Sequence, residues 1–489
     1  MSNTFTSTTF KNRLKNITVS GTKETVMHGK RGDYSGLKKA LAGVKQIAII
    51  GWSSQGPAQA QNIRDTLKKA GVNTKVVVGL RKSSQSRKGA QEAGFSVKDG
   101  TLLNVEEALS TSEMSLFLIS DAAMAHHGQE LISLMPAGST VGLSHGFFIG
   151  HLSTTGQKIR PDVDVIGVCP KGMGPSVRKL YLQGSGINNS FAVYQGGQKA
   201  LDRALAWSLC LGAPYTFKTT LDNEWRSDIF GERAMLLGGV HGLVEALYAN
   251  KRQNGTTAEQ AYIDVVESLV GPLSSTISKE GLIGVVDKLK GSDNKKFVNA
   301  YNTTYPVLLD LTKKIYIDVS SGREIAEVVS DSDNNIPMLK VDGTEMWRVG
   351  ENVRDKGIKN KNLTIDPMVA GVYIAGMMAQ VTVLRSHGHA WSEVVNESII
   401  EAVDSLNPFM KARGVAYMVD NCSITARRGS RKWAPHYQAW LSQAVLPVLD
   451  GILDGYSEQN YYDNFVKHDV HKALKLLGAM RPPIDISVS

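Results

Sequence analysis

From Gln46 to about Pro170 the chain alternates short apolar runs with turns and helical stretches, and this alternation restricts its fold more than any other feature. The runs are Gln46–Ile50, Thr74–Leu80, Met114–Ser120, Thr140–Ser144 and Val163–Val168, and a helical pattern over Ala58–Ala70 separates the first two. Short β-rich runs with helices between them predict a parallel α/β sheet. After about Ala204 the period becomes helical, as in Gly231–Tyr248, Thr257–Val270, Ala370–Ser386 and Trp391–Asp404. The second half is therefore expected to be all-helical. Ser330–Asn335 and Arg354–Lys361 read as connecting loops. A chain of 489 residues is expected to hold two or three domains.

The helical half matches itself at an offset of about 133 residues. Met235 then pairs with Met368, Gly238 with Gly371, Gly255 with Gly388, Gly281 with Gly414 and Asp287 with Asp420, without a gap. This register predicts a duplicated helical unit.

The formal net charge is +9. The basic residues are scattered and no base-stacking or groove-reading motif accompanies them, which argues against a nucleic-acid partner and for small anionic ligands or a solvated surface. Cys169, Cys210 and Cys422 lack metal-type spacing and point to a reducing compartment. No apolar run is read as reaching the roughly 18 residues that span a bilayer, so no membrane partner is expected. Met1–Ser20 has the Ser, Thr and basic character of a transit segment and no acid, but lacks the apolar core of a secretory signal.

Gly51-Trp52-Ser53-Ser54-Gln55-Gly56 stands after a predicted strand and before a helix, where a dinucleotide fingerprint belongs. Gly51 would make the tight turn, and the following helix N-terminus would face a pyrophosphate. Ser53 replaces the usual second glycine, so the segment also reads as an ordinary strand-to-helix turn. The next strand ends in Leu80-Arg81-Lys82-Ser83-Ser84-Gln85-Ser86-Arg87-Lys88, with no acid to bind a ribose hydroxyl. Arg81, Ser84 and Ser86 can instead donate to a 2′-phosphate, which favours NADPH over NADH.

Asp228 and Glu232 lie four apart on a predicted helix, and Glu393, Glu397 and Glu401 form a second such stripe. Carboxylates without His or thiolate suit a hard ion such as magnesium. The bland alternative is a solvent face, which is the reading taken for Glu393. His145 and Lys171 fall at the ends of predicted strands, where ligands of α/β sheets bind. A lone histidine or lysine in a loop is also often merely exposed.

These segments together resemble ketol-acid reductoisomerase in its long, plant-type class II form, from about Phe10 to Val488. The resemblance is carried by Gly56-Pro57-Ala58-Gln59-Ala60-Gln61-Asn62, Leu143-Ser144-His145-Gly146-Phe147 and Cys169-Pro170-Lys171-Gly172-Met173-Gly174-Pro175. It is carried equally by Ser227-Asp228-Ile229-Phe230-Gly231-Glu232-Arg233, Asp404-Ser405-Leu406-Asn407-Pro408-Phe409-Met410 and Val419-Asp420-Asn421-Cys422-Ser423. It implies an α/β Rossmann N-terminal domain, residues 1–218, followed by an all-α knotted domain of two tandem helical repeats, 219–360 and 361–489.

The same resemblance implies that Asp228, Glu232, Glu397 and Glu401 hold two magnesium ions and that Ser423 binds the substrate carboxylate. His145, Lys171 and Glu232 become the catalytic group. Gly51, Trp52, Ser53, Ser54, Gln55, Arg81, Ser84, Ser86, Ser120, Asp121, Ala122, Ala123, Met124 and Gly174 become the NADPH contacts. The implied reaction is alkyl migration in 2-acetolactate or 2-aceto-2-hydroxybutyrate, followed by reduction to the 2,3-dihydroxy acid. Glu232 or a metal-bound hydroxide, with Lys171 nearby, would remove the hydroxyl proton. A homo-oligomer, dimer or tetramer, is implied. The expected location is the cytoplasm, with the plastid stroma as the alternative. Two rivals remain: a β-hydroxyacid dehydrogenase, which needs no carboxylate cluster, and an NADP-binding sensor without turnover.

Overall fold

Ile47 and Ile49 of the first apolar run pack to one side of a sheet, Ala48 and Ile50 to the other, and all four are buried. The neighbouring strands repeat this pattern, with Val76 and Val78 on the first side and Val77 on the second. A strand buried on both faces needs an apolar residue at every position, which is why these runs show no polar alternation. The computed structural model describes residues 3–357, 363–454 and 460–482. The described residues divide into two compact units, the first formed by 3–225, 325–334 and 477–482, the second by those of 226–324 and 335–476.

The first unit is built on a ten-stranded sheet. Its strands are β1 (Leu14–Val19), β2 (Thr22–His28), β3 (Gln46–Ile50), β4 (Lys75–Gly79), β5 (Leu102–Leu103), β6 (Met114–Phe117), β7 (Thr140–Leu143), β8 (Asp164–Pro170), β9 (Asn189–Gln195) and β10 (Tyr215–Lys218). They lie in the order β1-β2-β10-β9-β8-β7-β6-β3-β4-β5. Strands β5 to β8 and β3 and β4 are parallel, as expected. The sheet as a whole is mixed, because β9, which follows the stretch read as parallel, runs antiparallel to β8. The link between them carries the helix Gly174–Gln183, then Gly184 and Gly186 at positive φ. It returns the chain to the strand end that it left, Pro170 opposite Asn189, so β9 can only run back.

The order reverses at β3, where the chain goes first to β4 and later to β6 on the other side. That reversal opens the crevice in which α/β sheets bind ligands. The parallel strands deliver the loops after β3, β4, β6, β7 and β8 to one edge of the sheet.

In the second unit the regular elements among the described residues are all helices, with no strand among them. Gly231–Tyr248, which reads as one helix, is two: Leu221–Arg233 and Gly238–Gln253. Residues 234–237 between them are apolar and buried, so the period carries through the break. A Cβ on Gly238 would lie 2.5 Å from the Arg233 carbonyl oxygen, a closeness that only glycine allows. Ser330–Asn335 is not a free loop, since the helix Arg323–Asp333 takes in most of it. Likewise the helix Glu345–Asp355 takes in the start of Arg354–Lys361, the end of which lies outside the described residues.

The helix Pro367–Ser386 corrects the reading that no apolar run is long enough for a bilayer: its 20 residues are long and apolar enough by composition, and they are mostly buried inside the protein. It packs along Ser292–Ser320 as an interior helix of the unit.

The 133-residue register reappears in element boundaries. An α-helix Ala258–Tyr262 runs into π-helices Ile263–Glu267 and Leu269–Leu273. Later Trp391–Val395 runs into π-helices Asn396–Ile400 and Ala402–Leu406. Gly255 and Gly388 both have positive φ, 85° and 82°, and so do Gly281 and Gly414, 76° and 97°.

Candidate active site

Gly51 leaves β3 with φ +107°, and a Cβ there would stand 2.4 Å from the Leu118 carbonyl oxygen. The fingerprint turn thus needs its first glycine for both conformation and close approach. Ser53, in place of the second glycine, costs no backbone strain: among the described residues the non-glycine positive-φ positions are Ser20 and Asn335. Ser53 and Ser54 are exposed and Trp52 is half-buried, packed edge-on against Phe95. Gln55 Nε2 donates to the Gly172 carbonyl at 2.9 Å, tying the turn after β3 to the loop after β8. Gly174 completes that junction, since a Cβ on it would fall 1.7 Å from the Ser54 carbonyl oxygen.

Gly174→Ala should therefore push the two loops apart. Overpacking of this kind costs about 1–3 kcal/mol, and we expect NADPH affinity, read by fluorescence titration, to fall by about tenfold or more. Unchanged affinity in a folded variant would show that the junction does not shape the cofactor site.

The loop after β4 leaves Arg81 exposed and Ser84 and Ser86 half-buried at the start of the helix Ser86–Glu92. Arg87 turns inward instead, donating to the carbonyls of Leu80 and Leu103. It holds the loop while Arg81 stays available. The loop after β6 starts a helix, Asp121–Ser133, which Ser120 caps by accepting from the Ala123 N–H at 3.4 Å. Ala122 and Met124 are buried and Ala123 is half-buried in that first turn.

His145 follows β7, its Nδ1 3.2 Å from Asp121 Oδ1. Just before it, Ser144 Oγ donates to the Val168 carbonyl and accepts from Gln59 Nε2 at 2.7 Å. Lys171 follows β8 and is not the exposed loop lysine that its surroundings suggest. It is 3% exposed, and its Nζ lies 3.3 Å from Glu224 Oε1. The other Glu224 oxygen accepts from the Gly146 N–H. Glu224 therefore secures two loops of the sheet edge, and the sequence reading missed it. The signal was present: Glu224, Asp228 and Glu232 continue one four-residue spacing on the helix Leu221–Arg233.

In the second unit, Asp228, Glu397 and Glu401 each offer a carboxylate oxygen, and the three oxygens lie within 4.8 Å of one another. Glu397 is fully buried and Glu401 is 9% exposed. Gln380 fixes the π-helical turn that carries Glu397, donating to the Glu397 carbonyl at 3.0 Å and accepting from the Met235 N–H at 2.9 Å. Carboxylates gathered out of water repel one another and lose hydration, so this cluster suits a bound cation, and its all-oxygen donors suit a hard one.

Glu232 is not part of that tight group. Its Oε1 accepts from Ser423 Oγ at 3.3 Å and its Oε2 from Arg233 Nη1 at 2.9 Å. Ser423 caps the helix Ile424–Trp440, accepting from the Ala426 N–H at 3.0 Å. The adjacent Cys422 thiol is pushed up to about 12 by burial, then by Glu232, Glu401 and Asp228. It stays protonated beside the acids. Glu393 corrects the solvent-face reading: it is 1% exposed, accepts from Ser227 Oγ at 2.8 Å and pairs with His389 at 3.3 Å. Apolar neighbours surround its stripe, and Ser227 and His389 are the polar groups that meet it there.

Residues 41–216 match the family described as "Acetohydroxy acid isomeroreductase, NADPH-binding domain", and 221–357 match "Ketol-acid reductoisomerase, C-terminal domain". The chain is 46% identical to the chloroplastic ketol-acid reductoisomerase of Spinacia oleracea, over 99% of this chain and 83% of that protein. It is also 46% identical to that of Pisum sativum, over 97% and 84%. A solved NADH-preferring ketol-acid reductoisomerase from an uncultured archean shares the fold, with a TM-score of 0.57 and 23% identity over 68% of this chain and 98% of that one. An N-terminal sheet with a dinucleotide turn, a helical part with gathered carboxylates and these relatives agree: the chain belongs to the ketol-acid reductoisomerase family.

Proposed function

We propose that the family's two-step reaction is carried here by Asp228, Glu232, Glu397 and Glu401 as metal ligands, with Ser423 for the substrate carboxylate. The activity is that of an NADPH-dependent oxidoreductase with an isomerase half-reaction, acting on 2-acetolactate or 2-aceto-2-hydroxybutyrate in branched-chain amino-acid synthesis. Two magnesium ions, when bound, polarise the hydroxyl and carbonyl oxygens of the substrate, and NADPH supplies the hydride. The observation that carries the assignment is the meeting of Asp228, Glu397 and Glu401 oxygens within 4.8 Å.

In the second unit, Glu232 Oε1 takes the proton that leaves the substrate hydroxyl, and Ser423 Oγ orients the substrate carboxylate. In the first unit, the fingerprint turn Gly51–Gln55, the Ser120–Met124 turn and Gly174 bind NADPH. Arg81, Ser84 and Ser86 donate to its 2′-phosphate. His145 is oriented by Asp121, and Lys171, neutralised by Glu224, holds a proton for the alkoxide that reduction creates. The test is NADPH oxidation with 2-acetolactate, with and without magnesium. Turnover that needs magnesium is expected; oxidation indifferent to it would favour a metal-free dehydrogenase.

Cofactor choice gives a second measurement. The loop after β4 has hydroxyl and guanidinium donors and no carboxylate. We expect a clear preference for NADPH, and Ser84→Asp with Ser86→Asp should move it towards NADH by repelling the 2′-phosphate. Equal kcat/KM for the two cofactors in the unaltered protein would overturn this.

The domain boundaries proposed are 1–218, 219–360 and 361–489, the last two being copies of one helical unit that together form a knot. The matching α-π-π segments and positive-φ glycines support the duplication. The family C-terminal domain spans 221–357, close to the first copy. The two chloroplastic relatives favour the plastid stroma and give no support to a cytoplasmic location. A homo-oligomer, dimer or tetramer, is proposed from the family resemblance.

A further inference from the structure

Arg233 is fully buried and addresses two carboxylates at once. Its Nη1 donates to Glu232 Oε2 at 2.9 Å and its Nε to Glu324 Oε2 at 2.8 Å. Glu324 is itself anchored: Oε1 accepts from Lys432 Nζ at 2.7 Å and from Trp433 Nε1 at 2.8 Å. Lys432 also reaches Asp318 at 3.3 Å. The guanidinium is wedged against Gly429, where a Cβ would come within 2.7 Å of Arg233 Cζ. Gly429 belongs to the helix Ile424–Trp440, whose cap Ser423 donates to the other Glu232 oxygen.

We infer that Arg233 is a positioning residue that sets the orientation of the Glu232 carboxylate in the metal site. The inference rests on the reading of Glu232 as a metal ligand. A glutamate has three rotatable bonds, and its two oxygens can exchange places. With Oε2 held by the buried guanidinium, and Oε1 directed by Ser423 until substrate takes up that hydroxyl, one orientation is favoured. The planar fork is what permits this, since it serves two carboxylates from one rigid group. A lysine presents a single nitrogen and cannot span both. Outer-shell partners of this kind orient ligands and tune the affinity of the site.

The test uses Arg233→Lys, Glu324→Gln and Glu232→Gln in the full chain. Magnesium binding is measured by calorimetry on the NADPH-loaded protein, and NADPH affinity and melting temperature report the fold. Arg233→Lys should weaken magnesium binding by about 10–100-fold with NADPH affinity unchanged, the range seen when outer-shell partners are lost. Glu324→Gln, which leaves Arg233 in place but loosens its anchor, should shift the isotherm in the same direction by less. A wild-type magnesium isotherm in folded Arg233→Lys overturns the inference, as does one in Glu324→Gln should the lysine variant not fold. If Glu232→Gln loses an ion while Arg233→Lys keeps both, the positioning role fails and the ligand reading stands. If Glu232→Gln also binds as wild type, the ligand reading fails first.

Discussion

Asp228→Asn is expected to abolish isomerisation of 2-acetolactate, with a loss well beyond the roughly 100-fold upper range for changes one shell further out. Asp228 faces Glu397 and Glu401 within 4.8 Å, so its charge is the contribution of the helix Leu221–Arg233 to that oxygen cluster. An amide keeps the shape and one oxygen but removes the negative charge that holds a divalent ion against its own hydration. Reduction of an already rearranged keto acid should fall less, because alkyl migration is the step that needs the substrate oxygens polarised. The check is to assay both substrates across a magnesium series. Full turnover of acetolactate by this variant in low magnesium would contradict the assignment.

A comparable loss is expected from Glu397→Gln, and almost none from Asp264→Asn. In the 133-residue register proposed as a duplication, Asp264 stands opposite Glu397, Ser268 opposite Glu401 and Ile365 opposite Glu232. Lys361, which would stand for Asp228, lies outside the described residues. The structure gives Asp264 a different occupation. Lys251 Nζ lies 3.3 Å from Asp264 and 2.6 Å from Asp366, and the Asp366 N–H donates to Ser268 Oγ at 2.8 Å. Burial would lower the Lys251 ammonium, but Asp366 and then Asp264 hold it above its ordinary value. An ammonium thus sits between Asp264 and Asp366, and its charge opposes a divalent ion there. Asp264→Asn should leave turnover and magnesium dependence near wild type, with a stability change within about 1 kcal/mol for so partly exposed a pair. Paired assays with melting curves decide it: equal loss of activity in two folded variants would mean that the copies are matched in the wrong register.

Much of this was legible without coordinates. Runs such as Ile47–Ile50 carry apolar residues at every position, and burial on both faces of a sheet follows from that alone. The turn at Gly51, the acid-free loop from Arg81 to Ser86 and the fourfold spacing of Asp228 with Glu232 are local, so a window of a few residues contains them. The 133-residue register could be read because glycines at positive φ, such as Gly281 and Gly414, cannot be exchanged without strain.

Other features depend on residues that are distant in the chain. Hydrophobic period records which face is apolar, not what covers it. It therefore ran straight through the buried break at 234–237 and took Glu393 for a surface residue. The antiparallel β9 was set by where a glycine-ended connection returns the chain, which no strand pattern encodes. Glu224 became a partner of Lys171 across 53 positions, and Arg233 of Glu324 across 91, only when helices brought them together. A charge is cheap in water and costly in a core, so the tertiary fold alone decided which of the many acids are gathered or paired. The sequence by itself determined the sheet, the cofactor turn and the supply of carboxylates. Their pairing and orientation came from packing, because desolvation acts through neighbours in space and not along the chain.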